Sequence, residues 1–230
     1  MVVETRPDHI TKQELIALRR MGVTKLQVGI QSLDDAVLDL NKRGHTVDEA
    51  GKALSMIRQA GYKLHLHWMP NLYGSNPQKD KQDFNRLFSD NRFMPDELKI
   101  YPCSLLKTAE LMEYYESGKW KPYNQEELLD VLTYSMKNIP RYCRVTRMIR
   151  DISSNDIVKG NKMTNFRQLV DSELKKQGIT SKDIRSREIR NKFVEKEDLN
   201  LKVKKYETSV SNEYFLEYST KNDIIAGFLR

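Results

Sequence analysis

Three short segments of the chain alternate apolar and polar residues. In residues 25–31, 62–68 and 97–101 the even-numbered positions are apolar, and most of the odd-numbered ones are polar. A period of two is the pattern of a β-strand that buries one face in a hydrophobic core. Residues 141–150 form a fourth strand candidate, so we expect strands beginning near residues 24, 62, 97 and 141.

Amphipathic helices are predicted between these strands. Two of them begin with a capping box, in which Thr11 is followed by Glu14 and Thr46 by Glu49. We expect Ser32 to cap a third helix that runs to about residue 42. Further helices are predicted over residues 79–88, 108–116 and 125–137.

Strands spaced by about 35 to 40 residues, with helices in between, are typical of βαβ units. The pattern therefore predicts an α/β fold with a parallel sheet. In a closed or partly closed (β/α) barrel, the polar sides of successive strands would face one lumen. Four side chains are expected to meet there: Gln31, His67, Lys99 and Tyr101.

The character of the chain changes after about residue 150. Residues 151–205 are rich in Lys and Arg and predict helices near 165–176 and 181–193. Three β-strands are then expected over residues 201–210, 212–218 and 223–230. A chain that begins at a strand end and stops inside a strand is interpreted as a segment of something longer.

Composition narrows the class of protein. The 39 Lys and Arg residues exceed the 32 Asp and Glu residues by seven, and the pI is near 9.2, which favours a nucleic-acid partner only weakly. No apolar run reaches the roughly 18 residues that span a bilayer, and the N-terminus has no signal peptide pattern. The two cysteines, Cys103 and Cys143, exclude a disulfide scaffold and favour a cytoplasmic location.

Four runs in this order and spacing resemble the catalytic subunit of the Elongator complex. They are Glu4-Thr5-Arg6-Pro7-Asp8; Val28-Gly29-Ile30-Gln31-Ser32 with Asn41-Lys42-Arg43-Gly44-His45; Lys99-Ile100-Tyr101-Pro102; and Arg147-Met148-Ile149-Arg150-Asp151-Ile152. The resemblance covers nearly the whole chain. It implies a radical S-adenosylmethionine enzyme fused to an acetyltransferase. Such an enzyme places a carboxymethyl-type group on the wobble uridine of tRNA, with S-adenosylmethionine, a [4Fe-4S] cluster and acetyl-CoA as cofactors.

The resemblance also implies a division of the chain into three parts. Residues 1–150 would be the C-terminal part of a partial (β/α) radical S-adenosylmethionine barrel. Residues 151–198 would be a basic helical linker, and residues 199–230 the first strands of a GNAT-like acetyltransferase domain. tRNA and other Elongator subunits are the expected partners.

Four residues are candidates for binding S-adenosylmethionine. Gln31 ends a strand, and its amide can both donate and accept hydrogen bonds, while Arg43 could bind a carboxylate through two hydrogen bonds. Glu4 could accept from a ribose hydroxyl or an ammonium group, and His67 would lie beside the cofactor. Without a cofactor, Glu4 would be a surface residue, Gln31 a neighbour of the helix cap at Ser32, and His67 a structural histidine. A metal site shared by His65 and His67 is disfavoured because no further ligand lies close in sequence.

Lys99 and Tyr101 are the catalytic candidates. Burying an ammonium group is costly unless it has a partner, which could be a substrate phosphate, a thioester carbonyl or an internal glutamate. Five basic residues are expected to bind tRNA phosphates: Arg147, Arg150, Lys159, Arg185 and Arg187. Lys162 would extend the same surface. The alternative is a generic solvated basic region.

Three departures from the family pattern limit what the chain can do alone. The three-cysteine motif that binds the cluster lies upstream of Met1 in the family, and the acetyl-CoA loop lies downstream of Arg230. We therefore expect the isolated chain to be catalytically inactive. The family's Gly-Leu-Pro-Gly is replaced by Asn71-Leu72-Tyr73-Gly74, which makes the shape of that loop uncertain. The alternative function is a non-catalytic tRNA-binding or complex-assembly module.

Overall fold

Strands and helices alternate through the first 150 residues of the computed structural model, as the pattern predicts. The structure describes residues 1–150, 152–153, 155–161, 163, 165–191 and 193–230. The strands are β1 (Val2–Thr5), β2 (Lys25–Gln31), β3 (Lys63–Trp68), β4 (Glu97–Ile100), β5 (Leu105–Leu106), β6 (Arg144–Met148), β7 (Ile157–Lys159), β8 (Asn200–Glu207), β9 (Asn212–Ser219) and β10 (Ile225–Leu229). The α-helices are α1 (Lys12–Arg20), α2 (Asp35–Leu40), α3 (Val47–Gln59), α4 (Pro77–Ser89), α5 (Leu111–Glu116), α6 (Gln125–Asn138), α7 (Phe166–Lys176) and α8 (Ile184–Arg187).

Five strands form a parallel sheet in the order β1-β2-β3-β4-β6. The even-numbered side chains of β2, β3 and β4 are fully buried on one side, and they share one hydrophobic core with α1, α3, α4, α6 and α7. The parallel α/β architecture predicted from the alternation is confirmed.

Two smaller sheets complete the described structure. The pairs β10-β9 and β9-β8 are antiparallel and form the three-stranded sheet predicted near the C-terminus. Tyr206, Phe215 and Ile225 of this sheet join the same hydrophobic core as the parallel sheet. The strands β5 and β7 form a two-stranded antiparallel pair that the sequence pattern did not predict.

Local capping signals explain where several helices begin. Thr11 and Thr46 each accept a hydrogen bond from the backbone N–H three residues later, and both capping boxes are complete. The expected cap at Ser32 is wrong. Asp34 caps α2, with its carboxylate accepting from the N–H groups of Ala36 and Val37 at 2.9 and 3.3 Å.

The helix predicted over residues 181–193 is also wrong in length. Among the described residues of this span, the four-residue helix α8 is the only helix, and Glu188 then makes a parallel bridge to Ile225 of β10. The N–H of Ile189 donates to the carbonyl of Ile225 at 3.0 Å. Pairing with the antiparallel sheet thus ends the helix that the local pattern favours.

Candidate functional site

The odd-numbered side chains of β2, β3 and β4, with even-numbered ones of β1 and β6, form a polar face on the side opposite the hydrophobic core. We define this polar face by the residues Glu4, Gln27, Gly29, Gln31, His65, His67, Glu97, Lys99, Tyr101 and Thr146. The parallel register places Gly29 beside His67 and His67 beside Lys99. The expectation that His67, Lys99 and Tyr101 share one side of the sheet agrees with this arrangement.

Gln27 connects two of the candidate residues. Its Oε1 accepts a hydrogen bond from Nζ of Lys99 and lies 3.0 Å from Nε2 of His67. The Tyr101 ring lies 5.6 Å from the His67 ring, and Nζ of Lys99 lies 5.7 Å above the Tyr101 ring. The internal partner of Lys99 is therefore an amide and not the glutamate considered from the sequence.

His67 is neutral at physiological pH. Its burial, together with the positive charges of Lys99 and Arg150, lowers the pKa of His67 to about 4. Only Nδ1 of the ring faces a carboxylate, with Oε1 of Glu4 at 3.5 Å. His67 therefore serves this face as a neutral hydrogen-bonding group.

A second layer of charge lies nearer the amino ends of the strands. Glu97 pairs with Lys25 and Lys63, both at 2.7 Å. Burial alone would raise the pKa of Glu97, but the two lysines outweigh it and lower the pKa to about 2. His65 lies 3.2 Å from Glu97 through Nδ1 and 3.0 Å from the Thr146 hydroxyl through Nε2. Burial lowers the pKa of His65 to about 3.

Gln31 adopts a left-handed backbone conformation at the end of β2, with φ of 65°. This conformation is held by a buried carboxylate on α4. Asp83 accepts hydrogen bonds from the N–H of Leu33 at 2.8 Å, the hydroxyl of Ser32 at 3.0 Å and the indole N–H of Trp68 at 3.0 Å. The Ser32 hydroxyl also accepts from the N–H of Asp34 at 3.2 Å, so it binds the turn before α2 and leaves the capping position to Asp34.

The amide of Gln31 folds back over Gly29 and meets Arg43 there. A Cβ atom at Gly29 would lie 2.6 Å from Nε2 of Gln31 and 3.8 Å from Nη2 of Arg43, so a larger residue at this position would displace the Gln31 amide. Arg6 holds the Arg43 loop by donating to the carbonyl oxygen of Arg43 at 3.1 Å. Burial and the nearby charge of Arg6 lower the pKa of Arg43.

Two polar atoms in this corner are buried without a hydrogen-bond partner. They are Oε1 of Gln31 and Nε of Arg43. Buried polar atoms in proteins are nearly always paired, so this acceptor and this donor are both available to a ligand. The carboxylate and ammonium of an amino-acid moiety provide the complementary acceptor and donors. These residues therefore fit the methionine part of S-adenosylmethionine.

The loop that follows β3 and the segment that precedes α6 are joined by a second buried carboxylate. Asp80 accepts from the N–H of Asn71 and the hydroxyl of Tyr123, both at 2.7 Å, and from the hydroxyl of Ser75. Burial outweighs these hydrogen bonds and raises the pKa of Asp80 to about 6.

Asn71 resolves the departure from the family loop pattern. Its φ is 70°, a left-handed conformation that glycine adopts freely and asparagine tolerates. Its side chain donates to the carbonyl of Cys103 at 2.9 Å and accepts from the N–H of Tyr123 at 2.9 Å. The loop thus keeps a glycine-type backbone at this position, and the amide adds two contacts.

The predicted tRNA-binding residues differ in accessibility. Arg147, Arg150, Lys159 and Arg185 are exposed, and Arg185 also donates to the carbonyl of Thr146. Arg187 is 4% exposed and pairs with Glu217 at 2.9 Å. The prediction for Arg187 is therefore wrong, because a buried guanidinium held by a carboxylate is not available to phosphate. Lys162 and Asp151 lie outside the described residues.

The chain's own residues do not fit an iron–sulfur cluster. Cys103 and Cys143 are free and buried, and burial raises the pKa of Cys103 to about 12 and that of Cys143 well above its usual value. Within the described ranges, no group of three or more His, Cys, Asp or Glu side chains could hold a metal ion. We therefore assign no cluster ligand to this chain.

Three residues of this site were not anticipated from the sequence. Gln27 is one of the polar positions of the alternating run 25–31, and Asp80 and Asp83 lie within the helix predicted over residues 79–88. A signal for the two aspartates exists, since both lie on the side of α4 that also carries the buried Phe84 and Leu87. Carboxylates on an apolar helix face indicate buried acceptors for loop N–H groups.

Two family models match successive parts of the chain. The Radical SAM superfamily model matches residues 1–85, and the Radical SAM C-terminal domain model matches residues 95–176. Among solved structures, the archaeal Elongator protein 3 of Methanocaldococcus infernus with an N-terminal deletion superposes with a TM-score of 0.95 at 36% identity. This match covers 100% of the present chain and 55% of the archaeal one.

Curated relatives give the same result. The tRNA uridine(34) acetyltransferase of Methanocaldococcus infernus is 36% identical over 100% of this chain and 44% of its own length. Elongator complex protein 3 of Saccharomyces cerevisiae is 32% identical over 100% of this chain and 42% of its own. The chain has a partial radical S-adenosylmethionine fold and belongs to the Elongator catalytic-subunit family. It spans less than half the length of these curated relatives.

The similarity confirms the family that the four sequence runs indicate. Membership in the radical S-adenosylmethionine superfamily implies S-adenosylmethionine and a [4Fe-4S] cluster as the family's cofactors. In the part of the chain that the structure describes, no helix is long and apolar enough to cross a membrane.

Proposed function

We propose that this chain is part of an Elongator-type tRNA uridine(34) acetyltransferase and that its polar face holds S-adenosylmethionine and substrate. The observation that carries the proposal is the unpaired buried pair, Oε1 of Gln31 and Nε of Arg43, at the end of β2. Relatives that match the entire chain are named for this activity. The proposal predicts that both atoms gain partners when the cofactor binds.

Each residue of the corner has a role in holding the cofactor. The Arg43 guanidinium would bind the methionine carboxylate, and the Gln31 amide would accept from its ammonium group. Glu4 and His67 would contact the cofactor from the adjacent strands. When bound next to a reduced cluster, S-adenosylmethionine supplies radical chemistry, and the residues named here orient it and exclude water.

Lys99 and Tyr101 would act on the substrate side of the same face. The ammonium group of Lys99 would stabilise negative charge on a substrate phosphate or on the carbonyl of a thioester such as acetyl-CoA. Tyr101 follows β4 directly, and its N–H donates to the carbonyl of Trp68 at 2.9 Å, which fixes its backbone beside β3. In this proposal, residues 199–230 begin the acetyltransferase domain.

The binding of S-adenosylmethionine tests the core of the proposal. We expect Gln31→Leu to weaken the binding by about tenfold, because an acceptor that contacts a charged donor is lost. Equilibrium dialysis of the 230-residue chain measures the affinity. Gln13→Leu makes the same substitution at an exposed position of α1 and serves as the control. Equal affinity of Gln31→Leu and wild type would show that the corner does not hold the cofactor.

tRNA is the proposed substrate, bound by the exposed basic residues on and beyond β6. We expect the double variant Arg147→Ala with Arg150→Ala to bind tRNA more weakly and to lower the salt slope by up to about two. Gel-shift titrations at several salt concentrations measure the slope. The double variant Lys12→Ala with Arg20→Ala, at exposed positions of α1, is the control. An unchanged slope in the first variant would assign these arginines a structural role.

The second candidate is a non-catalytic module that binds tRNA or other Elongator subunits. Its two free thiols favour a cytoplasmic location. The lack of a metal-binding group among the described residues favours it for the isolated chain. We expect anaerobic reconstitution with iron and sulfide to yield neither cluster absorbance nor 5′-deoxyadenosine. A stoichiometric cluster with turnover would exclude this second candidate.

A further inference from the structure

Gln27 lies between Lys99 and His67, and its contacts determine how the imidazole is protonated. Nζ of Lys99 donates to Oε1 of Gln27, and an ammonium group can only donate hydrogen bonds. The oxygen of the Gln27 amide must therefore be the atom that faces Lys99. This fixes the orientation of an amide that could otherwise be rotated by 180°.

The same oxygen lies 3.0 Å from Nε2 of His67. Since Oε1 can only accept, Nε2 must carry a hydrogen. The low pKa of His67 leaves one proton on the ring at neutral pH, so Nδ1 is bare. The hydrogen-bond chain from Lys99 through Gln27 thus selects one of the two neutral tautomers.

The bare Nδ1 then faces another acceptor. Oε1 of Glu4 lies 3.5 Å away, and Glu4 reaches this point from the neighbouring strand β1 with 63% of its side chain exposed. A lone pair beside a carboxylate is unfavourable unless a donor lies between or beside them. The two atoms together are suited to a ligand group that carries hydrogens on oxygen or nitrogen.

We propose that Gln27 is a positioning residue that holds His67 as the Nε2–H tautomer, so that Nδ1 of His67 and the Glu4 carboxylate form an acceptor pair for a hydroxyl or ammonium group of the ligand. The ligand part of this inference rests on the proposed function. The tautomer part rests on the geometry of three side chains. The two parts can be tested separately.

NMR of the histidine ring nitrogens tests the tautomer directly. The chain has four histidines, and His67→Phe assigns the His67 signals by their loss. We expect wild type at neutral pH to show Nε2–H with a bare Nδ1. In Gln27→Leu, Nε2 loses its acceptor, and we expect the proton to move to Nδ1, where Glu4 can accept it.

Two further variants keep this test decisive. Gln27→Glu retains acceptor oxygens toward both Lys99 and His67, so it should retain the wild-type tautomer. Gln13→Leu, at an exposed position, should leave the His67 signals unchanged. A wild-type Nδ1–H tautomer, or an unchanged tautomer in Gln27→Leu, would overturn the proposal.

Titration with S-adenosylmethionine, which carries both hydroxyl and ammonium donors, tests the acceptor pair. We expect the Nδ1 resonance of wild type to shift on binding and the affinity of Gln27→Leu to fall by about tenfold, the equivalent of one hydrogen bond to a buried group. Binding without a shift of Nδ1 would overturn the acceptor pair. No binding to wild type would contradict the proposed function and leave the tautomer result standing.

Discussion

The parallel sheet and the three-stranded antiparallel sheet differ in how many of their faces are buried. In β2 and β3 the apolar side chains are fully buried on one face, and His65 and His67 of the other face are 2% and 4% exposed. In β8 and β9, Tyr206 and Phe215 point inward, whereas Leu201, Val203, Tyr214 and Tyr218 are about half exposed on the outer face. The parallel sheet is therefore buried on both faces at β2 and β3, whereas the antiparallel sheet buries one face and exposes the other to solvent.

The two regions also use different forces where they bury polar groups. On the polar face, His67 and Gln27 share a neutral hydrogen bond, and the carboxylate of Glu97 pairs with Lys25 and Lys63. Where the antiparallel sheet meets the rest of the chain, Glu217 is paired with Arg187 at 2.9 Å and with Arg141, and Asp223 lies 3.5 Å from Arg187. The parallel rings of Tyr142 and Tyr206 stack at 3.9 Å beside them. The difference teaches that the antiparallel sheet docks through arginine–carboxylate pairs as well as through the apolar contacts of Tyr206, Phe215 and Ile225.

Glu217→Gln should break the docking of the antiparallel sheet. It leaves the Arg187 guanidinium, 3% exposed, without its full counter-charge. Breaking one partner of a buried ion pair typically costs about 3 kcal/mol or more of unfolding free energy. Urea denaturation measures the loss, and Glu207→Gln, at the exposed end of β8, is the control. A loss below about 1 kcal/mol, typical of surface pairs, would contradict a buried docking role.

His67→Gln removes a neutral buried histidine from the polar face, and it should change the pH dependence of the unfolding free energy. The pKa of His67 is about 4 in the folded state against an ordinary value of 6.5. As the pH falls, the unfolded chain binds this proton first, so the stability contributed by His67 is present above pH 6.5 and lost as the pH falls toward 4. Between pH 7 and 5 this amounts to about 2 kcal/mol.

We therefore expect the loss of unfolding free energy between pH 7 and 5 to be smaller in His67→Gln than in wild type by about 2 kcal/mol. Denaturation curves at the two pH values give the difference, and His9→Gln is the matched control at an exposed position. The same pH dependence in His67→Gln and wild type would mean that His67 is not held neutral in the folded state.

Val203→Thr should have the smallest effect. Val203 is 57% exposed on the outer face of the antiparallel sheet. Surface substitutions away from special features usually change the unfolding free energy by less than about 0.5 kcal/mol. Thermal or urea denaturation measures the change. A loss above about 1.5 kcal/mol would show that something covers this face in solution.

The period-two alternation predicted β2, β3 and β4 to within one residue at each end, because strands buried on both sides leave little freedom in register. It also predicted the side of the sheet on which His67 and Lys99 lie. The failures have long-range causes. Ser32 does not cap α2 because Asp83, 51 residues away, holds the Ser32 hydroxyl and the N–H of Leu33 in a turn that ends at Asp34, where the helix begins. The region after Arg187 does not extend α8 because it pairs with β10.

Site chemistry was predicted less well than the fold. The family runs pointed to Gln31 and Arg43, and the structure places them together over Gly29. Arg187 was misplaced because a local run of basic residues does not reveal which of them meets a buried carboxylate from a strand 30 residues away. Gln27 was overlooked because its importance lies in two contacts from neighbouring strands.

Asn71 has a consequence for hydrogen exchange. The N–H of Tyr123 donates to its side chain, its own N–H donates to Asp80, and the N–H of Cys103 donates to the carbonyl of Pro70. Amides in loops usually exchange quickly with solvent. These three N–H groups donate to buried acceptors, so we expect them to exchange slowly. Their exchange would require the loops after β3 and β4 and the start of α6 to open together. The rim of the polar face is in this sense one cooperative unit.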